Sequence, residues 1–264
     1  MAAHSRDRLN AASLPAASIL VKQSIEELTN LFLKKDTDPQ MSHRELKNQI
    51  YPQFARIGQA LASEKRLELV DLLAQAPRHV DSLAQETGMS VANVSQHLQI
   101  LRSACLVEAE RQGNMTFYRL SDPAVVQLWL ALRGVAESRL AEVKQISREL
   151  PGRLDDAVVS RDDAKELLKG KAVLLDVRPS QEFASGHLRG AINIPIDELA
   201  ERLDELPRDR QIITYCRGEY CLFADEAAEL LRTKGYDVVR LEGGWPEWQS
   251  EGRPTSAAAG RNKR

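Results

Sequence analysis

The sequence holds only three cysteines in 264 residues, Cys105, Cys216 and Cys221. They are too few and too unevenly spaced for the disulfide framework of a small secreted domain, so packing, redox sensing or chemistry must explain them. No apolar run approaches the roughly 20 residues that a bilayer-crossing helix needs, and no membrane partner is expected. The leading segment MAAHSRDRLNAASLPAASIL lacks the uninterrupted apolar stretch of a signal peptide, which favours a cytoplasmic protein. An excess of one charge is missing too. The formal net charge is -2, with 18 Lys and Arg against 17 Asp and Glu in residues 1–150 and 18 against 21 in residues 151–264. A nucleic-acid partner must therefore be argued from where the charges sit.

The length suits two domains better than one. A long amphipathic stretch, Ala124 to Leu150, places Val125, Leu128, Trp129, Leu132, Val135, Leu140, Val143 and Ile146 near one face at helical spacing. It stops at Pro151-Gly152, where the seam is expected. Upstream, Ser63–Ala74, Val80–Glu86 and Ser90–Ser103 read as three helices. Glu108–Glu110 and Thr116–Leu120 then read as strands of a hairpin, with Gly113 and Asn114 available for positive φ. Downstream, apolar runs (172–177, 211–215, 238–241) alternate with helical stretches (160–168, 196–203, 222–234), which predicts an α/β domain with a central parallel sheet. The expected layout is a partly helical or disordered extension over 1–45, a mainly α domain over 46–150, the α/β domain over 155–252 and a disordered tail over 253–264.

Helix, tight turn at Gly88, helix capped by Ser90, then hairpin is the order of a winged helix-turn-helix. Val91, Val94, Leu98 and Leu101 share one side of the second helix and are expected to face the core. The other positions, Ala92, Asn93, Ser95, Gln96, Gln99, Arg102 and Ser103, include no acid. Amides and hydroxyls read base edges, whereas a carboxylate would repel phosphates, so Ser90, Asn93, Ser95, Gln96, Gln99 and Arg102 are candidate DNA contacts. Arg111 and Asn114 at the wing tip join them. His97 lies at the edge of the buried face, with packing and a phosphate contact both open.

The segments FARIGQALASEKRLELVDLLAQ and VSQHLQILRSACLVEAERQGNMTFYRL together resemble the ArsR family of bacterial winged-helix repressors over about residues 46–149. The resemblance implies operator DNA as partner and a homodimer formed through the first and last helices, matching the apolar faces of Tyr51–Leu61 and Ala124–Leu150. Cys105 stands where relatives usually carry Gly and is expected to be a small packing residue. The third helix lacks Cys and the last lacks His, so no metal is expected.

In QIITYCRGEYCLFADEAAELL a buried-looking strand runs into Cys216, a short loop follows, and a helix begins near Leu222. Such a loop turns main-chain N–H groups toward one point, and the helix terminus adds positive potential, so a sulfur at 216 is expected to be held as a thiolate. Arg217 adds charge at the rim and Gly218 frees the turn; Glu219, Tyr220 and Cys221 complete the candidate catalytic loop. LLDVRPSQEFASGHLRGAINIP, YCRGEYC and EGGWPEW, in that order, resemble the rhodanese family over about residues 160–249. The resemblance implies that Cys216 carries sulfane sulfur as a persulfide between a small sulfur donor and a thiol acceptor, with no cofactor. Asp176, Arg178 and His187 then become supports. A phosphatase on this scaffold needs Cys-x5-Arg, and position 222 is Leu. Cys221 departs from the usual sixth loop residue and suggests a resolving thiol or a packing one. Two readings stay open: a transcription regulator that senses or transfers sulfur, and a sulfurtransferase with a DNA-binding anchor.

Overall fold

The structure is a computed structural model that describes residues 41–149 and 157–257. Residues 1–40 of the expected extension, the seam at Pro151-Gly152 and the tail from residue 258 lie outside the described residues. By internal contacts the chain divides into a unit ending at Phe54 and a second unit beginning at Ala55. Helix α1 (His43–Leu61) begins in the first unit on a reciprocal cap: the Ser42 N–H donates to Glu45 Oε2 at 2.8 Å, and the Glu45 N–H donates to Ser42 Oγ at 3.2 Å. Tyr51 and Phe54 leave their rings exposed there, edge to face at 6.0 Å.

In the second unit the winged-helix elements follow in the expected order: α2 (Glu64–Gln75), β1 (Arg78–His79), α3 (Val80–Thr87), α4 (Val91–Ser103), β2 (Val107–Gln112) and β3 (Met115–Leu120). Gly88 closes α3 in the left-handed region at φ 66°, and Ser90 caps α4 by accepting the Asn93 N–H at 3.3 Å. Val94, Leu98 and Leu101 are fully buried against Leu69, Val70, Leu83 and Val107. Val91, in the first turn of α4, is 47% exposed, against expectation, and takes no part in that core. The β2–β3 hairpin is longer than expected, with only Gly113-Asn114 between paired Gln112 and Met115. In that turn only Gly113 takes positive φ, at 63°.

The single long helix expected over Ala124–Leu150 is two. Asp122 caps α5 (Pro123–Arg139), and the chain turns extended at Leu140 before α6 (Ala141–Arg148). Cys105 is a further correction. It is exposed and sits at φ 58°, the backbone region that explains a Gly at this position, with its sulfur 3.7 Å from Arg56 Nη2.

The α/β part is built on a five-stranded, all-parallel sheet in the order β4-β9-β8-β5-β7. Its strands are β4 (Val158–Val159), β5 (Val173–Asp176), β7 (Ile192–Asn193), β8 (Ile212–Tyr215) and β9 (Val238–Leu241). Helices α7 (Arg161–Lys169), α8 (Ser180–Ser185), α9 (Phe223–Thr233) and α10 (Trp245–Ser250) accompany it. No α-helix forms over 196–203. Successive tight turns occupy that stretch, held by bonds such as Glu198 N–H to Pro195 O at 2.9 Å, and they still bury Leu199. The expected tail is ordered at its start: β10 (Thr255–Ser256) pairs antiparallel with β6 (His187–Leu188).

Candidate functional site

On the winged-helix part, Ser90, Asn93, Gln96, Gln99 and Arg102 are exposed, while Ser95 and His97 are half-buried. His97 Nδ1 is buried without a hydrogen-bond partner, so that nitrogen faces the protein. At the wing tip Arg111 and Asn114 are exposed, and Arg111 Nε donates to Gly113 O at 3.2 Å. These residues come from two elements only, a helix with one acid-free face and the hairpin beside it.

Cys216 follows directly on β8, in the middle of the parallel sheet, and the loop runs from there to α9. Three features shape the loop. Gly218 sits at φ 151°, open to glycine alone. The Trp245 N–H donates to Cys216 O at 3.1 Å, tying the loop to the start of α10. Gly244 packs so closely that a Cβ there would lie 2.4 Å from Cys216 O and 2.5 Å from Gly218 N. A Gly244→Ala substitution is therefore expected to push the loop off its seat at a cost of about 1–3 kcal/mol. Cys216 should then alkylate faster than in the parent at equal pH; unchanged alkylation and melting temperature would mean the contact is slack.

The surroundings of the Cys216 sulfur do not favour the thiolate that the sequence suggested. The residue is 1% exposed and packs with Leu175, Val177, Ala224 and Ala227. Its Sγ lies 3.1 Å from Cys221 O and 3.8 Å from Gly218 O. Burial pushes this thiol well above its ordinary range and the hydrogen bond to the Cys221 side chain adds to the rise, while the amides of Gly218 and Ala224 pull the other way. Cys221 moves oppositely. The bond from the Cys216 thiol lowers it, burial opposes, and the amides of Arg217 and Phe223 together with the Arg217 charge lower it further.

Supports surround the loop. Arg178 is fully buried and bonds Asp176 through Nε at 3.0 Å and Nη2 at 2.7 Å. Nη2 of Arg178 also donates to Gly186 O at 2.8 Å. Asn193 Nδ2 donates to the carbonyls of Asp176 and Arg178 at 3.0 and 2.9 Å. His187 stacks on Phe183 and bonds the Phe183 carbonyl through Nδ1 at 2.8 Å.

The other loop residues reach into the winged-helix part. Arg217 pairs with Glu182 at 2.7 Å and with Glu86 of α3, and Arg78 pairs with the same two carboxylates. The result is a closed ring of two arginines and two glutamates. Gln75, the last residue of α2, donates to Arg217 O at 3.0 Å and accepts from Arg178 at 3.4 Å. Tyr220 donates to Glu137 of α5 at 2.9 Å, and partial burial with that carboxylate pushes its phenol up to about 12. Arg133 of α5 pairs with Glu247 of α10 and with Glu137. Glu219 lies 3.9 Å from Arg240. Sequence reasoning missed Gln75, Arg78, Glu86 and Arg133. Their partners lie up to 142 residues away, and nothing in the local pattern marks them.

Among the described residues no group of three or more His, Cys, Asp or Glu side chains could hold a metal ion, and no helix is long and apolar enough to cross a membrane.

Two family models match the chain: the bacterial regulatory protein, arsR family, over residues 63–109, and the rhodanese-like domain over residues 160–251. The HTH-type transcriptional regulator Rv0324 of Mycobacterium tuberculosis is 42% identical over 78% of this chain and 92% of its own length. A sulfurtransferase of Allochromatium vinosum is 33% identical over 33% of this chain and 81% of its own. Among solved structures, a homodimeric winged helix-turn-helix DNA-binding domain of Mycobacterium bovis, an NMR structure, is 40% identical and covers 38% of this chain and 92% of its own, with a TM-score of 0.36. With its helix-turn-helix and its rhodanese-like domain both matched, and a regulator of the same kind aligned over most of its length, this chain belongs to the arsR family of bacterial regulatory proteins, as a DNA-binding regulator that carries a rhodanese-like domain.

Proposed function

We propose that operator binding by this regulator is set by the sulfur state of the Cys216 loop. One observation carries the reading: Arg217, next in chain to Cys216, pairs with Glu86 on the first helix of the helix-turn-helix. Cys216 is 1% exposed, so an added sulfur has no room unless the loop moves. A moving loop strains the Arg217–Glu86 pair and the Gln75 bond, and so tilts the helices that support α4. The donor is a sulfane-sulfur compound and the acceptor a thiol. Burial of Cys216 among Leu175, Val177, Ala224 and Ala227, in a loop tied to the winged helix through Arg217, favours a sensor over a freely turning-over sulfurtransferase.

DNA contact is assigned to Ser90, Asn93, Ser95, Gln96, Gln99 and Arg102 in the major groove, with Arg111 and Asn114 on the flanking backbone. The regulator acts as a homodimer, which sets two heads on a pseudo-palindrome and offsets the weak net charge. Exposed Leu128, Leu132 and Val135 on α5 and exposed Tyr51 and Phe54 on α1 supply the apolar surface for it.

The test is operator affinity, by fluorescence anisotropy on a duplex selected from random-sequence DNA, with and without a sulfane-sulfur donor. For the parent the donor should weaken binding by a factor of about 5–150, the usual span of allosteric coupling. Cys216→Ser should bind equally with and without it. Identical affinities in all four cases would reduce the fusion to tethering.

A further inference from the structure

Between the cysteine loop and helices α2 and α5 lies a cavity of about 390 Å³, large enough for a small organic molecule. Asp71, Trp129 and Arg133 of the winged-helix part form one side, and Tyr220, Cys221 and Phe223 the other. Cys216 is not in its wall. The two cysteines thus differ in access: Cys221 is half-buried in the cavity wall, and Cys216 is 1% exposed, with its Sγ 3.1 Å from the Cys221 carbonyl.

We propose that Cys221 is the thiol that first meets the sulfur donor, a small alkyl persulfide admitted through this cavity, and that Cys216 is the second thiol that closes on it. The proposal rests on the sulfur-responsive reading of the loop and reverses the roles expected from sequence. Cys221 gives up its proton and attacks the outer sulfur of the alkyl persulfide. A bond forms between Cys221 Sγ and that sulfur, the original S–S bond breaks, and the alkyl thiolate leaves and takes up the proton as a free thiol. Cys216 then attacks Cys221 Sγ, forms the Cys216–Cys221 disulfide and expels hydrosulfide, which takes the Cys216 proton and departs as hydrogen sulfide. Two thiols are oxidised, one sulfane sulfur is reduced to sulfide, and the persulfide is the oxidant.

Three observations agree with this order. The cysteine in the cavity wall is also the one whose thiol its surroundings favour as thiolate, through the Cys216 hydrogen bond and the amides of Arg217 and Phe223. Arg133 and Arg217 are already paired with Glu247, Glu137, Glu182 and Glu86, and Asp71 and Glu226 add carboxyls to the wall, so the cavity suits a donor of low charge. Burial raises the Asp71 carboxyl above its usual range despite the Trp129 indole hydrogen bond, so negative charge is disfavoured at that wall.

The experiment treats full-length parent, Cys216→Ala and Cys221→Ala with cysteine persulfide at neutral pH, then alkylates and locates the added sulfur by mass spectrometry. Cys216→Ala should accumulate one extra sulfur on Cys221, because nothing closes on it. Cys221→Ala should load Cys216 at least about tenfold more slowly than the parent loads its loop. In untreated parent, limited alkylation should label Cys221 before Cys216, a readout that needs no variant to fold. Loading of Cys216 at the parent rate in Cys221→Ala, absence of sulfur on Cys221 in Cys216→Ala, or first labelling at Cys216 would each overturn the proposal. Sulfur placement is read here without DNA, so its failure is distinct from a failure of operator affinity to respond.

Discussion

Asp176→Ala should destabilise the protein by about 3–5 kcal/mol, a large share of the roughly 5–15 kcal/mol that holds an ordinary domain together. Both members of the Asp176–Arg178 pair are fully buried, and the carboxylate also accepts the Arg178 main-chain N–H at 3.0 Å. Removing it strands a guanidinium between the rings of Tyr215 and Trp245, with only Gly186 O and Gln75 left to accept from it. The cost comes from that unpaired charge more than from the lost attraction, so Asp176→Leu combined with Arg178→Met should be milder than Asp176→Ala alone. Denaturant titration of the full chain decides. A loss below about 1 kcal/mol would mean that water reaches the pair.

Glu86→Gln should do little to stability and much to communication. The Glu86 side chain is 33% exposed, so loss of its ion pairs should cost at most about 1 kcal/mol. The same change removes the charge that joins Arg217 of the sulfur loop to the helix-turn-helix. A donor-induced change in operator affinity on the order of tenfold in the parent should shrink toward no change in Glu86→Gln, while affinity without donor stays within about threefold. Full retention of the response would move the coupling elsewhere, to Gln75 or to the Tyr220–Glu137 contact.

Local chemistry was legible in the sequence, and long-range placement was not. Gly88, Ser90 and the spacing of Val94, Leu98 and Leu101 announced the helix-turn-helix, because caps and wheel faces are decided within a few residues. The strands at 212–215 and 238–241 announced themselves as short apolar runs. The break at Leu140 was hidden because neither Gly nor Pro marks it and the apolar spacing continues across it. The stretch 196–203 has helical spacing, yet Pro195 and the burial of Leu199 are met by tight turns. At the site, sequence placed both cysteines on one loop but misjudged Cys216 as the thiolate, because its burial depends on Ala224 and Leu175 packing against it and on the α10 start bonded to its carbonyl. The Arg78–Glu86–Arg217–Glu182 ring was invisible for the same reason: Arg78 and Glu182 stand 104 residues apart.

Thermodynamic linkage gives the most direct test of the claim that loop sulfur and operator DNA act on one another. Full-length protein is equilibrated at a fixed ratio of persulfide donor to thiol, with and without saturating selected duplex, and the loaded fraction of the Cys216–Cys221 loop is read by mass spectrometry. The predicted result is that DNA shifts the loading equilibrium by the same factor by which loading shifts operator affinity. A loading equilibrium that saturating operator leaves unchanged, in protein whose loop loads fully without DNA, would contradict it.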